Sequence, residues 1–323
     1  MSASSVAKNR EKPIAVYGAM AANGVIAIAK GIAALYTGSS AMFSECIHSL
    51  VDTANEGLLL YGMKRSGHKP DQAHPFGYGK ELYFWSLIVA VALFGIGGGL
   101  TFFEGLTHIT GHAAEERGNV MWNYAVIAIA LIAEGTSWTI ALREFLPSVK
   151  GKRLWQALRD AKDPTTVTVI FEDSAALAGL LFALAGVYLT EITGNPVWDG
   201  IASMLIGVTL SGVALLLAYE SRSLLIGEAA DPSVIDSIRQ FAREDADVVE
   251  AGRPLTMHFG PDEVLLNLDV RFRADLSSET IMGVVDRLER GIRERHPEIK
   301  RIFIEAESLR RDGDDPAARP SSN

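Results

Sequence analysis

The sequence predicts an α-helical membrane protein with six transmembrane helices, followed by a small C-terminal α+β domain. Two observations support this fold class: residues 13 to about 225 are apolar with short breaks, and residues 226–312 have the composition of a soluble domain. Within the apolar part, six segments reach the ~20 residues that a helix needs to cross the hydrocarbon core. They are predicted at residues 13–36, 40–63, 82–104, 120–142, 167–190 and 197–219.

Basic residues predict the orientation of these helices. They are concentrated before the first span, after the second and after the fourth, whereas the three opposite loops together hold one, Arg117. Because lysine and arginine favour the cytoplasmic side, both termini are expected to face the cytoplasm. The basic loop at residues 143–166 is either an interfacial helix or a plain solvated loop.

The second span carries charge on a face where a membrane helix should carry none. Glu45, His48, Asp52 and Glu56 follow one another at intervals of three or four residues, which places them along one face of a helix. An ionisable group at mid-membrane depth costs at least ~2.5–3.5 kcal/mol. Imidazole and carboxylate at positions i and i+4 are a ligand pair for a divalent metal. The pattern therefore favours a metal ion held inside the membrane.

The C-terminal part has a different periodicity. Its pattern predicts a helix at residues 231–243, strands at 248–257 and 264–272, a helix from Ser277 to about residue 296, and a strand at 301–307. This αββαβ order predicts a ferredoxin-like domain with two helices on one antiparallel sheet. The expected organisation is a cytoplasmic segment at 1–12, a transmembrane domain at 13–223, a cytoplasmic domain at 224–308 and a disordered tail at 309–323.

Composition argues against nucleic-acid binding and against stabilisation by internal disulfides. The net charge of −9 and the lack of a basic aromatic patch argue against a nucleic-acid partner. The single cysteine, Cys46, excludes an internal disulfide framework, and a small buried side chain is its favoured interpretation.

Four local motifs strengthen the metal hypothesis. They are SSAMFSECIHSLVDTANEGLLL in the second span, DQAHPFGYGKELYFWS before the third, FEDSAALAG in the fifth and WDGIASMLIG in the sixth. Over residues 13–308 the chain resembles the cation diffusion facilitator family. The resemblance implies a homodimer in the lipid bilayer that exports cytoplasmic zinc, or Fe²⁺, Co²⁺ or Mn²⁺, in exchange for protons. It also implies that the protein is not an enzyme and has no prosthetic group. If the source is bacterial, the expected location is the cell's inner membrane.

The resemblance also implies site residues. The transport ligands are expected at His48, Asp52 and Asp173, but a fourth position, often histidine, is Val169. Glu172 is a candidate replacement, although it points about 100° away from Asp173 around a regular helix. Asn23, Glu45, water or a distortion of the helix are the alternatives.

The resemblance implies a second metal site, in the loop before the third span. Asp71 and His74 stand where ligands are expected, but Tyr78 follows them, so a simple turn before the third span is an equal alternative.

Other polar groups have open roles. The candidates outside the main site are a Lys30–Glu134 ion pair, a rim of Glu104, His108 and His112, and a tail set of His258, Asp269, Glu305 and Glu307. One imidazole among carboxylates favours zinc, and an all-oxygen set would favour manganese. The competing functional class is a non-transporting membrane scaffold or metal sensor, which the Val169 departure supports. An intramembrane metal-dependent hydrolase lacks a second motif that would supply a base.

Overall fold

The computed structural model describes residues 13–111, 119–149, 151, 153–161 and 164–306, with side chains from Asn23 onward except at residues 148, 159, 160 and 164. Among the described residues, eight α-helices precede the C-terminal α+β unit, and the last of them, α8, continues into that unit. The helices are α1 (Pro13–Thr37), α2 (Ser40–Ser66), α3 (Glu81–Ala92), α4 (Thr101–Ile109), α5 (Met121–Phe145), α6 (Leu154–Asp160), α7 (Pro164–Thr193) and α8 (Val197–Ile226). A π-helical segment, Leu93–Leu100, joins α3 to α4.

Four of the helices in the described part are long and apolar enough to cross a membrane. They are the continuous helix Glu81–Ile109, α5, α7 over Thr165–Thr193, and α8. The helix α2 has 27 residues but is not among the four, because its polar and charged residues make it less apolar than they are. In α1 the apolar stretch with described side chains, Asn23–Thr37, is shorter than a span. The six-crossing arrangement therefore stays a prediction.

The charged helix α2 is surrounded by other helices rather than left bare. Its buried residues pack with α1, α5, α7 and α8 in one core that includes Met42, Leu180 and Ile206. Its first turn is held by Asp199 of α8, whose carboxylate accepts hydrogen bonds from the backbone N–H groups of Ser40 and Ala41. These N–H groups have no partner within the helix, so a carboxylate at this end stabilises α2.

Glycines allow the π-helical segment and α4 to approach α8 closely. A Cβ atom on Gly207 would lie 2.7 Å from the amide nitrogen of Phe102 and 2.9 Å from the carbonyl oxygen of Gly98. A Cβ atom on Gly105 would lie 2.6 Å from the carbonyl oxygen of Gly200. Because only a residue without a side chain fits there, the two backbones touch over two helical turns.

The basic loop after α5 contains the short helix α6. Ala157 and Leu158 are buried in a small cluster with Phe145 and Ile170. The exposed Trp155 ring lies 5.9 Å from the ring of Phe171. Whether α6 lies at a membrane surface stays a prediction.

The chain divides into two compact units: residues 1–69 with 81–222, and residues 70–80 with 223–323. The second unit contains α9 (Pro232–Arg243), β1 (Val248–Ala251), β2 (Leu255–Gly260), β3 (Glu263–Phe272), α10 (Ser278–Arg295) and β4 (Ile299–Ala306). Alternate residues of β3, from Val264 to Val270, are fully buried against Ile238 of α9 and Leu288 of α10.

Two details of the predicted tail were wrong. The single strand predicted at residues 248–257 is two strands, β1 and β2, that pair antiparallel with different parts of β3. Gly252 and Pro254 interrupt it, since proline has no N–H group to continue a ladder. The sheet is also mixed, because β4 pairs parallel with β3 after the crossover through α10. The observed order is therefore αβββαβ.

Candidate metal site in the membrane helices

The centre of the charged face of α2 is a close imidazole–carboxylate pair. His48 is completely buried, and its Nδ1 atom lies 3.3 Å from Oδ2 of Asp52, one turn further along the helix. Within the described part of the chain, Nε2 of His48 and Oδ1 of Asp52 are buried without a hydrogen-bond partner. Buried polar atoms are nearly always paired, so these two are available to a ligand.

The two adjacent acids of α7 make different contacts. Glu172 is buried and accepts a hydrogen bond from Nδ2 of Asn55 on α2, at 2.8 Å. Asp173 is hydrogen-bonded to Ser137 of α5, and its Oδ2 atom is buried with no hydrogen-bond partner among the described residues. This divergence agrees with the expected rotation of about 100° between neighbouring residues of a regular helix.

Two contacts fix how α7 lies against α2. Near one end of their interface Glu172 meets Asn55, and near the other Gly179 lies against Oε1 of Glu45. The two helices therefore run antiparallel, and the part of α2 between these contacts contains His48 and Asp52. The facing part of α7 begins at Glu172 and Asp173. The arrangement places both α7 acids beside the Asp52 end of the α2 pair.

Further acids extend the cluster. The charges of Asp52, Glu56 and Asp173 all act on Glu172, and Asp173 also interacts with Glu134 of α5. Glu56 accepts a hydrogen bond from Nδ2 of Asn23 on α1, at 2.8 Å. A region this rich in buried carboxylate attracts a multivalent cation, because unpaired charges are costly inside a membrane.

A sequence comparison identifies the family. Residues 16–226 match the Cation efflux transmembrane domain. The chain belongs to the cation diffusion facilitator family. With its four long apolar helices, this cation diffusion facilitator is an integral membrane protein.

Its relatives include proteins named for several metals. It is 31% identical, over 326 aligned residues, to the proton-coupled zinc antiporter SLC30A9, mitochondrial, of Xenopus laevis, with 89% of this chain and 58% of that protein covered. It is 34% identical over 281 residues to metal tolerance protein C4 of Arabidopsis thaliana, covering 86% and 58%. It is 24% identical over 297 residues to the manganese efflux system protein MneP of Bacillus subtilis, covering 90% and 92%. The chain thus spans under two thirds of the first two relatives.

The structure brings together part of the predicted site of this facilitator. His48 and Asp52 form a pair, and Glu172 and Asp173 lie on the facing helix. Among the residues described, however, no three His, Cys, Asp or Glu side chains are arranged as a complete metal centre. The convergence of His48, Asp52 and Asp173 on one ion therefore stays a prediction, as does a ligand role for Glu172.

In the predicted loop site, Asp71 is occupied by its own loop. Its carboxylate accepts hydrogen bonds of 2.7 Å from the Tyr78 hydroxyl and from the backbone N–H of His74. The Tyr78 hydrogen bond, followed by that of the His74 backbone, lowers the pKa of Asp71. Nδ1 of His74 is 3.7 Å from Oδ1 of Asp71, and both side chains are half exposed. These contacts explain Asp71 and Tyr78 as parts of a turn, and metal binding here stays a prediction.

Among the other candidates, the expected Lys30–Glu134 ion pair is present, although Lys30 has a closer acidic partner. Nζ of Lys30 is 4.0 Å from Oε1 of Glu134 but only 2.9 Å from Oε2 of Glu45. His108 faces Asp199, at 3.9 Å, and His258 is buried with its Nδ1 atom 3.3 Å from the carbonyl oxygen of Gly260. His112 and Glu307 lie outside the described residues.

Sequence reasoning missed the roles of Asn55, Ser137 and Asp199. Asn55 and Ser137 hold the two acids of α7, and Asp199 fixes the start of α2. An acidic residue three positions into an apolar helix was the available signal for Asp199. Asn55 lies one turn after Asp52 on a neighbouring face, and no sequence pattern showed what it contacts.

Proposed function

We propose that this protein is a secondary transporter that exports divalent metal cations, with Zn²⁺ as the preferred ion, from the cytoplasm in exchange for protons. The observation that carries the proposal is the buried His48–Asp52 pair facing the acids of α7, in a member of the cation diffusion facilitator family. His48 binds the ion through an imidazole nitrogen, and Asp52 and Asp173 through carboxylate oxygens.

Proton exchange follows from the ligand chemistry. Imidazole and carboxylate groups must be deprotonated to bind a metal, so metal binding releases protons and protonation releases the metal. The name of the SLC30A9 relatives, proton-coupled zinc antiporters, supports the same coupling here.

Metal preference depends on the number of imidazole ligands. A single buried histidine among carboxylates favours zinc, while Val169 removes the second imidazole that would strengthen this preference. The relative named as a manganese efflux protein supports keeping Mn²⁺, Fe²⁺ and Co²⁺ as alternative substrates.

The proposed arrangement has six membrane crossings at residues 13–223 and both termini in the cytoplasm. The α+β unit of residues 224–308 is then cytoplasmic, and the membrane is the cell's inner membrane if the source is bacterial. The excess of lysine and arginine in alternate loops supports the orientation.

Transport by inside-out vesicles that contain the protein tests the proposal. With an acidic lumen, we expect uptake of Zn²⁺ that dissipates the pH gradient, and slower uptake of Mn²⁺. Vesicles that contain the Asp52→Asn variant are the matched control. If folded protein moves none of Zn²⁺, Fe²⁺, Co²⁺ and Mn²⁺, the chain is instead a scaffold or a metal sensor.

We also propose that the protein is a homodimer held partly by its C-terminal unit. That unit has its own buried core of sheet and helices, which supports independent folding. Sedimentation of the isolated unit is expected to show a concentration-dependent dimer. A unit that stays monomeric at high concentration would contradict this contribution.

A further inference from the structure

A lysine is completely buried among the membrane helices. Nζ of Lys30 on α1 donates a hydrogen bond to Oε2 of Glu45, at 2.9 Å, and to Oγ of Ser49, at 2.7 Å. The nearest further acid is Glu134 of α5, at 4.0 Å. A charged ammonium in this position is costly unless it is paired, so the role of Lys30 depends on its carboxylate partners.

Glu45 has one oxygen bound and one oxygen unused. The side chain is fully buried, and Oε1 has no hydrogen-bond partner among the described residues. This oxygen faces α7 at Gly179, where even a Cβ atom would come within 2.5 Å of it. Glu45 therefore directs an unpaired acceptor into the interface of α2 and α7 that also holds His48, Asp52 and Asp173.

The position of Glu45 along α2 matters for an ion that moves through this interface. Glu45 precedes His48 by three residues, or about 4.5 Å along the helix axis. In the proposed orientation, it lies on the side of the His48–Asp52 pair that is away from the cytoplasm. An ion leaving the pair toward that side meets the unused oxygen of Glu45 next.

We propose that Glu45 is a relay ligand for the departing divalent cation, and that Lys30 is a tethered cation that competes with the metal for the same carboxylate. This inference rests on the proposed transport function. A carboxylate free of Lys30 would hold a divalent ion firmly, because oxygen ligands approach such an ion to ~2.0–2.2 Å. With the ammonium already bound to the other oxygen, the two cations repel each other. The metal is held briefly at Glu45 and moves on, and Lys30 keeps the carboxylate paired between ions.

The alternative is a purely structural ion pair that joins α1 to α2, and kinetics distinguish the two. In Lys30→Met the freed Glu45 traps the ion, so we expect both KM and maximal rate for Zn²⁺ uptake to fall about tenfold. In Glu45→Gln the relay is lost while the His48–Asp52 pair is intact, so the maximal rate falls about tenfold with KM unchanged. The double variant Lys30→Met/Glu45→Gln should recover the KM of the original protein.

Ser49→Ala is the matched control, because it removes a neutral hydrogen bond to Lys30 and no charge. We expect it to leave KM unchanged. If Lys30→Met and Glu45→Gln alter only the yield or thermal stability, with KM and rate per folded protein unchanged, the pair is structural and the proposal is overturned. If Lys30→Met does not fold, Glu45→Gln decides alone, since its carboxamide still accepts from Lys30, and an unchanged rate overturns the proposal.

Calorimetry separates a failure of this inference from a failure of the transport proposal. If the original protein moves no metal, Zn²⁺ binding to detergent-solubilised protein is measured instead. Tighter binding in Lys30→Met, lost again in the double variant, supports competition at Glu45. Equal affinity in all three proteins overturns it.

Discussion

Replacing Asp52 by asparagine is expected to abolish metal transport, with zinc uptake at least about 100-fold below that of the original protein. Asparagine keeps the volume of the side chain but removes the charge that pairs with His48 and faces the metal. Uptake of radioactive Zn²⁺ into inside-out vesicles measures the effect.

The matched control for this change is Asp262→Asn. Asp262 is an exposed aspartate in the turn between β2 and β3, and its replacement should leave uptake unchanged. Equal uptake by Asp52→Asn and the original protein would show that the metal does not pass through the His48–Asp52 pair.

Glu172→Gln is expected to lower zinc uptake about tenfold, less than the loss caused by Asp173→Asn. Glutamine can still accept the hydrogen bond from Asn55, so the contact between α2 and α7 should survive. The change removes one negative charge from the group that includes Asp52, Glu56 and Asp173. A smaller loss than at Asp173 would indicate that Glu172 attracts the ion without binding it directly.

If the Glu172→Gln variant takes up metal at the same rate and with the same metal dependence as the original protein, Glu172 is ruled out as a ligand. The companion variant is Val169→His, which adds the imidazole that the family resemblance leads one to expect at this position. If the ring reaches the ion, zinc binding should tighten relative to manganese, because imidazole favours zinc. Unchanged relative affinities would mean that residue 169 does not face the ion.

The sequence was sufficient to predict contacts that follow from the geometry of a single helix. The i, i+4 spacing of His48 and Asp52 on an apolar helix predicted their contact, and the structure places them 3.3 Å apart. Adjacent acids of α7 were expected to diverge, and Glu172 and Asp173 do contact different helices. The tail pattern likewise predicted both of its helices.

The sequence was insufficient where partners lie on distant segments. The sequence predicted Glu134 as the partner of Lys30, whereas the packing of α1 against α2 places Glu45 closer, at 2.9 Å against 4.0 Å. Asp199 contacts the start of α2 across about 160 residues of chain, which no local spacing reveals. The parallel pairing of β4 was accessible in principle, because a strand that returns through a helix usually pairs in parallel.

X-ray absorption at the zinc edge tests the central claim most directly, since it reports the atoms bound to the metal. For purified protein loaded with one equivalent of Zn²⁺, we predict one imidazole nitrogen with carboxylate oxygens at ~2.0–2.2 Å. The imidazole contribution should disappear in His48→Gln. A sulfur ligand at ~2.3 Å, or an imidazole signal that persists in His48→Gln, would show that zinc binds elsewhere and would contradict the proposed site.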